Sequence, residues 1–348
     1  MSKDLSDKKI CILYTGGTIG MVPTDDGFAP KAGYLESELK QMKDLSSNLM
    51  PSWELVEFDP LLDSTNMEHI HWNQIAEAIG ERYYDYDGFV VIHGTDTMAY
   101  TASALSFMLE GLEKPVVLTG SQIPLCELRS DGVDNIITSI QIAAEGVVKE
   151  VCLFFGDSLI RGNRATKNSA DALLAFTSPN YPVLAKIGIN INYTAEGISG
   201  SRSGGSASGF HVQKIEKFRV GVIKLFPGIH FGMFAPIAEE GADGLILEAF
   251  GAGNVPSYDK SLPPVIDKAI ENGTSVIVCT QCPQGTVALG AYEAGSALVK
   301  AGAISGYNMT TEAAVTKLAY LLSLKKHRKR FESLWKRISE ENLINRAN

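Results

Sequence analysis

Short apolar runs ending in small or polar loops, each followed by a segment of helical length, recur along the chain. The first run, Lys9 to Tyr14, ends at Thr15-Gly16-Gly17-Thr18, and the second, Trp53 to Phe58, ends near Asp63-Ser64-Thr65. Gly88 to Ile92 leads into His93-Gly94-Thr95-Asp96-Thr97, and Pro115 to Leu118 leads into Thr119-Gly120-Ser121-Gln122. After the third and fourth loops, Met98 to Leu112 and Asp131 to Ala144 carry apolar residues at helical spacing. Strands alternating with helices predict βαβ units, a mostly parallel sheet and right-handed crossovers.

The pattern is interrupted once. From 193 to 213 the composition turns to Gly and Ser, including Gly197, Gly200, Gly204, Gly205 and Gly209, which reads as a linker. The alternation then resumes: strand Arg219 to Phe226, helix His230 to Glu240, strand Asp243 to Phe250, helix Asp259 to Asn272, strand Ser275 to Cys279. Met309 to Leu322 and Phe331 to Leu343 read as closing amphipathic helices. A length of 348 residues allows two domains. The division is an α/β domain over 1–192, the linker 193–213, and a smaller α/β domain over 214–348.

Composition narrows the class. Hydrophobic residues make up 45% and charged residues 20% of the chain, ordinary globular values, and no apolar run approaches membrane-spanning length. Met1 to Lys9 is polar, and the run after it is too short for a signal-peptide core, so the expected location is cytoplasmic. A net charge of -9 argues against nucleic-acid binding, and the basic cluster Lys325 to Arg330 reads as a solvated helix end. Of five cysteines, Cys11, Cys152 and Cys279 lie in apolar runs, as buried reduced thiols do. Cys279 and Cys282 form a C-x-x-C with no second Cys/His pair at ligand spacing, so neither a metal nor a cofactor is expected.

In a parallel open sheet the loops after the strands emerge on one edge, where ligands bind. Here those loops carry Thr15 and Thr18; Asp63, Ser64 and Thr65; Thr95, Asp96 and Thr97; and Ser121 and Gln122. Hydroxyls and carboxylates suit a small zwitterion rather than an apolar ligand. A hydroxyl nucleophile needs a base or a charged neighbour, which Asp96 and the more remote Lys167 can supply. Gly16 and Gly17 allow backbone N–H groups to approach a developing oxyanion. Thr15 stands where a G-x-G-x-x-G would need its first glycine, and G-x-x-x-x-G-K-[ST], G-x-S-x-G and H-E-x-x-H do not occur. His93, beside a Gly turn, reads as a hydrogen-bonded structural residue.

Tyr14-Thr15-Gly16-Gly17-Thr18-Ile19-Gly20 and His93-Gly94-Thr95-Asp96-Thr97-Met98 resemble the two signature segments of the bacterial-type L-asparaginase family. Similarity continues through Ala99 to Leu105, Thr119 to Pro124, Arg161 to Lys167 and Asn308 to Ala313, and is strongest to the cytoplasmic type I branch. The resemblance implies a flavodoxin-like parallel-sheet N-terminal domain, a smaller α/β C-terminal domain and a homodimer or homotetramer with sites at subunit interfaces. It implies hydrolysis of L-asparagine by Thr18 through an acyl-enzyme, with Thr95, Asp96 and Lys167 as a second catalytic cluster. Asp96 also meets the substrate's ammonium group, and Asp63, Ser64 and Thr65 form the substrate-binding loop.

Two positions depart from the family pattern. Phe28 stands where a loop tyrosine is common, inside a segment, Met21 to Lys31, with the composition of a mobile lid. Tyr14, Tyr34 and Tyr292 are the other phenols available, and Tyr292 is preferred, in a Gly290 to Glu293 segment expected at a subunit interface. Glu248 stands where type I enzymes with an allosteric asparagine site carry arginine, so allosteric activation does not carry over. An ammonia-releasing subunit of a tRNA-dependent amidotransferase and a catalytically silent amino-acid sensor are the competing readings. The first usually has an extra N-terminal domain, for which a first strand at Lys9 leaves no room. The second has no use for both a nucleophile and its activator.

Overall fold

The computed structural model describes residues 3–198, 209–256, 258, 261–291, 293–324 and 331–336. They divide into two compact units, with the boundary between Ile215 and Glu216. The first unit is built on one sheet whose strands are β1 (Lys9–Gly16), β2 (Ser52–Leu62), β3 (Gly88–Ile92), β4 (Val116–Thr119), β5 (Val151–Phe155), β6 (Ser158–Arg161), β7 (Ala185–Ile187) and β8 (Ile191–Tyr193). Their spatial order is β8-β7-β6-β5-β4-β3-β1-β2. Strands β2, β1, β3, β4 and β5 run parallel, in the 2-1-3-4-5 order of flavodoxin-like folds. The interior strands β1, β3, β4 and β5 are near-continuous runs of buried apolar residues, as expected where both faces are covered by other elements.

The sheet is mostly parallel, as expected, and changes direction at one edge. Strands β6, β7 and β8 pair antiparallel, so this side grows by hairpins rather than crossovers. A turn at Gly156, with φ 62°, reverses the chain directly from β5 into β6.

The helices of this unit are α1 (Tyr34–Gln41), α2 (His69–Arg82), α3 (Met98–Met108) and α4 (Gly132–Glu145). The helical pattern predicted to Leu112 stops at Met108, because Leu109 and Glu110 pair antiparallel with His211 and Val212. Gly111 makes the exit possible: its φ is 68°, and a Cβ there would lie 2.5 Å from the Gly209 carbonyl oxygen. Within the stretch 193–213 expected as linker, Ala195–Ile198 is one helical turn, residues 211 and 212 form this ladder, and residues 199–208 lie outside the described residues.

In the second unit, β9 (Val220–Lys224), β10 (Gly244–Ala249), β11 (Ser275–Thr280) and β12 (Ile304–Ser305) form a parallel four-stranded sheet in that order. Helices α5 (Ala235–Glu240), α6 (Leu262–Glu271), α7 (Glu293–Ala301) and α8 (Thr311–Ser323) accompany it. Its core includes Leu245, Leu247, Val276, Val278, Val265 and Ile266. Helix α8 begins where the Thr310 hydroxyl accepts the Ala313 N–H, a side-chain cap of the kind its sequence offers. The cluster Lys325 to Arg330 and most of the closing helix expected to Leu343 lie outside the described residues; residues 331–336 are helical. Among the described residues, no helix is long and apolar enough to cross a membrane.

Candidate functional site

The turns after β1 and β3 emerge where the strand order reverses, which is where ligands bind in such sheets. Thr18 opens a 3-10 turn after β1, and Gly17 before it holds φ 97°. A Cβ on Gly17 would lie 2.4 Å from both the N and Cα of Gly94. A Cβ on Gly94 would lie 2.5 Å from Ser64 Oγ. A Cβ on Gly120 would lie 2.3 Å from the His93 carbonyl oxygen. The absence of side chains at three glycines therefore lets four loops close on one another, the loops that carry Thr18, Asp63 to Thr65, Thr95 with Asp96, and Gln122.

Thr95, Asp96 and Lys167 form one hydrogen-bonded cluster, although Lys167 lies more than seventy positions from the other two in sequence. Lys167 Nζ donates to Thr95 Oγ1 at 2.9 Å and to Asp96 Oδ1 at 2.7 Å. Thr95 Oγ1 in turn donates a hydrogen bond to Gln122 Oε1 at 3.2 Å. Lys167 is placed by a short hairpin, Thr166–Lys167 against Phe176–Thr177, with Phe176 buried. The segment before it is anchored in the interior. Arg161 meets Glu150 through Nε to Oε2 at 2.7 Å and Nη2 to Oε1 at 3.1 Å, and its guanidinium lies 4.3 Å from the Tyr181 ring centre. Burial still dominates at Glu150 and raises its pKa despite the Arg161 charge.

Gln122 belongs with this cluster. Its Nε2 donates to the carbonyls of Ala170 and Ala172, so one amide ties the Thr95 hydroxyl to the loop that follows Lys167. Asp131 holds Gln122 in place. Its carboxylate sits at the start of α4 but accepts from the N–H groups of Gln122 and Ile123, all at 3.0 Å. A carboxylate reaching back nine residues, with no motif of its own, gives a sequence reading nothing to detect.

Asp63 caps a 3-10 turn, its Oδ1 accepting from Thr65 N at 2.9 Å and Thr65 Oγ1 at 3.0 Å. Asp63 and Thr65 are exposed, and Ser64 is buried against Gly94. Three hydroxyls expected along the site are turned to backbone instead. Thr15 donates to Ile92 O and Thr97 to Ser64 O, which ties separate segments together, and Ser121 donates to Ile123 O within its own loop. His93 is buried, with Nδ1 against Gly94 O at 2.7 Å and Nε2 against Thr101 Oγ1 at 2.9 Å.

The segment around Phe28 is a regular element rather than an unanchored loop. Met21–Thr24 and Gly27–Pro30 pair antiparallel, with Pro23 opposite Phe28 and Gly27 at φ 112° in the turn. Of the other phenols, Tyr14 is fully buried with its hydroxyl unpartnered beside Gly20, Tyr34 is half-buried, and Tyr292 lies outside the described residues. Burial raises the pKa of both Tyr14 and Tyr34. In the second unit, Glu248 accepts from Thr311 Oγ1 at 2.5 Å and lies 3.9 Å from Lys224 Nζ. Beside it, burial pushes the Cys279 thiol up to about 12, while Cys282 is exposed. Among the described residues, no group of three or more His, Cys, Asp or Glu side chains is arranged to hold a metal ion.

The family profile "Asparaginase, N-terminal" matches residues 9–198, and "Glutaminase/Asparaginase C-terminal domain" matches residues 219–334. The chain is 44% identical over 319 residues to L-asparaginase 1 of Escherichia coli K12, covering 92% of this chain and 93% of that one. It superposes on L-asparaginase I from Vibrio cholerae with a TM-score of 0.86, at 44% identity, covering 94% of this chain and 97% of that one. A probable cytoplasmic L-asparaginase from Campylobacter jejuni superposes with a TM-score of 0.78 at 25% identity, covering 95% and 99%. Matched over both units by profile, sequence and structure, the chain belongs to the asparaginase family.

Proposed function

We propose that this enzyme hydrolyses L-asparagine to L-aspartate and ammonia through an ester on Thr18. The observation that carries the reading is the Lys167 ammonium bonded at once to the Thr95 hydroxyl and the Asp96 carboxylate, on a loop packed through Gly94 and Gly17 against the turn of Thr18. Thr18 Oγ attacks the side-chain amide carbon, the C–N bond breaks, and ammonia leaves with the hydroxyl proton. Water then cleaves the ester and restores the hydroxyl. Thr95, polarised by Lys167, is the proton-handling hydroxyl of the pair.

Asp96 suits the substrate's ammonium group. Lys167 engages its Oδ1, and the carboxylate remains largely exposed to a ligand. Asp63, Ser64 and Thr65 complete the binding loop. A cytoplasmic location fits the reading; its support is the likeness to a probable cytoplasmic L-asparaginase and the buried, unpaired thiols of Cys11, Cys152 and Cys279, while the expected dimer or tetramer rests on the family resemblance alone. Ammonia release from L-Asn, D-Asn and L-Gln tests the activity. Thr18→Ala should lower turnover with L-Asn by several orders of magnitude, and a loss of only a few-fold would sink the assignment.

A further inference from the structure

His93 is a buried titratable side chain to which the hydrolytic reading gives no task. It follows β3 and precedes the Gly94-Thr95-Asp96 turn, and both of its ring nitrogens are engaged. Their protons can be assigned by elimination. The Gly94 carbonyl only accepts, so Nδ1 carries hydrogen. Burial lowers the imidazole pKa to about 4, so the ring is neutral near pH 7 and Nε2 is bare. Nε2 therefore accepts from the Thr101 hydroxyl, which in turn accepts the Trp72 indole N–H at 3.1 Å. Trp72 lies on α2 and Thr101 on α3, so two helices hold the ring in one tautomer and one orientation.

The group this ring grips is the contact point of the site. Gly94 is the residue against which both Gly17 and Ser64 pack. A trans peptide is planar, so fixing the Gly94 carbonyl also fixes the opposite direction of the Thr95 N–H and the start of the Thr95 side chain. We infer that His93 is a positioning residue: its Nδ1–H, held by the Thr101 and Trp72 relay, clamps the Gly94–Thr95 peptide and aims Thr95 at Lys167 and the substrate. The inference rests on the catalytic reading of Thr95 and goes beyond it, since His93 touches neither Thr95 Oγ1 nor Lys167 in the cluster.

The test is a comparison of kcat and KM with L-asparagine, read beside the urea midpoint, for His93→Gln, His93→Asn, Thr101→Val and Thr95→Ala. Gln carries its amide to the place of Nε2 and leaves the Gly94 carbonyl without a donor. Asn keeps an N–H near the place of Nδ1. His93→Gln should lower kcat about 10- to 100-fold with KM within about threefold, the scale of effect when a reacting group is slightly misplaced. His93→Asn should recover about tenfold of that loss. Thr101→Val, nearly isosteric, should lower kcat about fivefold with KM held, and supplies the reading if the His93 variants do not fold. A folded His93→Gln with wild-type kcat, or Thr101→Val with wild-type kcat, would overturn the inference. Loss of activity that follows only the urea midpoint, with no recovery in His93→Asn, would overturn it too. Thr95→Ala separates the two levels: if it stays active, the catalytic reading itself fails, whereas its loss beside an unimpaired His93→Gln removes the positioning role alone.

Discussion

Lys167→Met removes one charge from the cluster while keeping the length and the apolar stem of the side chain. Two interactions disappear, and they differ in worth. The bond to Thr95 Oγ1 is charge-assisted and partly buried, a class that contributes about 1.5–3 kcal/mol. The ion pair with Asp96 is shorter, at 2.7 Å, but the Asp96 side chain is 58% exposed, and solvent screening reduces such pairs to about 0.2–1 kcal/mol. Together they amount to about 2–4 kcal/mol, or roughly 30- to 1,000-fold in rate at about 1.4 kcal/mol per decade. The loss should fall on kcat. Asp96 keeps its own charge and, freed of Lys167, binds a substrate ammonium at least as well, so KM should hold or decrease. Ammonia release over a wide L-asparagine range measures both constants. Stability, read from the urea midpoint, should fall by at most about 2–4 kcal/mol, since both interactions given up belong to the folded state. Wild-type kcat, or a defect confined to KM, would refute the view that the ammonium acts on Thr95.

Stability should also depend on pH through His93. Its pKa is depressed in the folded protein from an ordinary 6.5 to about 4, so the folded state excludes a proton that the unfolded chain accepts. The associated stability, about 3 kcal/mol, is fully present above pH 6.5 and is lost as pH falls toward 4. Urea unfolding at pH 7 and 4.5 should show that loss, and His93→Asn should lack it; equal losses would refute the assignment. Gly17→Ala should cost about 2–5 kcal/mol, from left-handed backbone strain and a clash with Gly94, and should abolish activity. Gly27→Ala, also at positive φ but in open space, should cost about 1–2 kcal/mol, so equal effects in urea unfolding would discount the clash. Phe28→Tyr should leave kcat within about threefold, because Phe28 is 48% exposed on its hairpin and an added hydroxyl extends toward water. A large gain in the same ammonia assay would show that a missing phenol limits the enzyme.

What was legible in the residues was the strand-loop-helix rhythm and the chemistry gathered on its loops. β1, β3 and β4 are apolar runs ending in Gly-Thr or Gly-Ser turns, a pattern that survives averaging over any window. The strands β6 to β8 were not legible, because each is three or four residues long and its partner is chosen by a turn rather than by periodicity. Not every hydroxyl on these loops faces the site. Thr15 donates to the end of β3, Thr97 to the loop of Ser64, and Ser121 within its own loop, choices of backbone partner that a list of residue types cannot anticipate. In the sequence Gln122 is one more polar loop residue; its bridge between Thr95 and the loop after Lys167 depends on contacts with Ala170 and Ala172, about fifty positions away.

The contacts at Gly17, Gly94 and Gly120 bear on how this site can be re-engineered. Backbones that touch at the distance of a missing methyl leave no slack for a longer or shorter loop, so an insertion in one would be transmitted to the other three. Libraries that vary loop length one loop at a time should therefore return mostly inactive clones. Substrate range should instead yield to side-chain exchanges at exposed positions such as Thr65, provided the Asp63 carboxylate that caps its turn is kept.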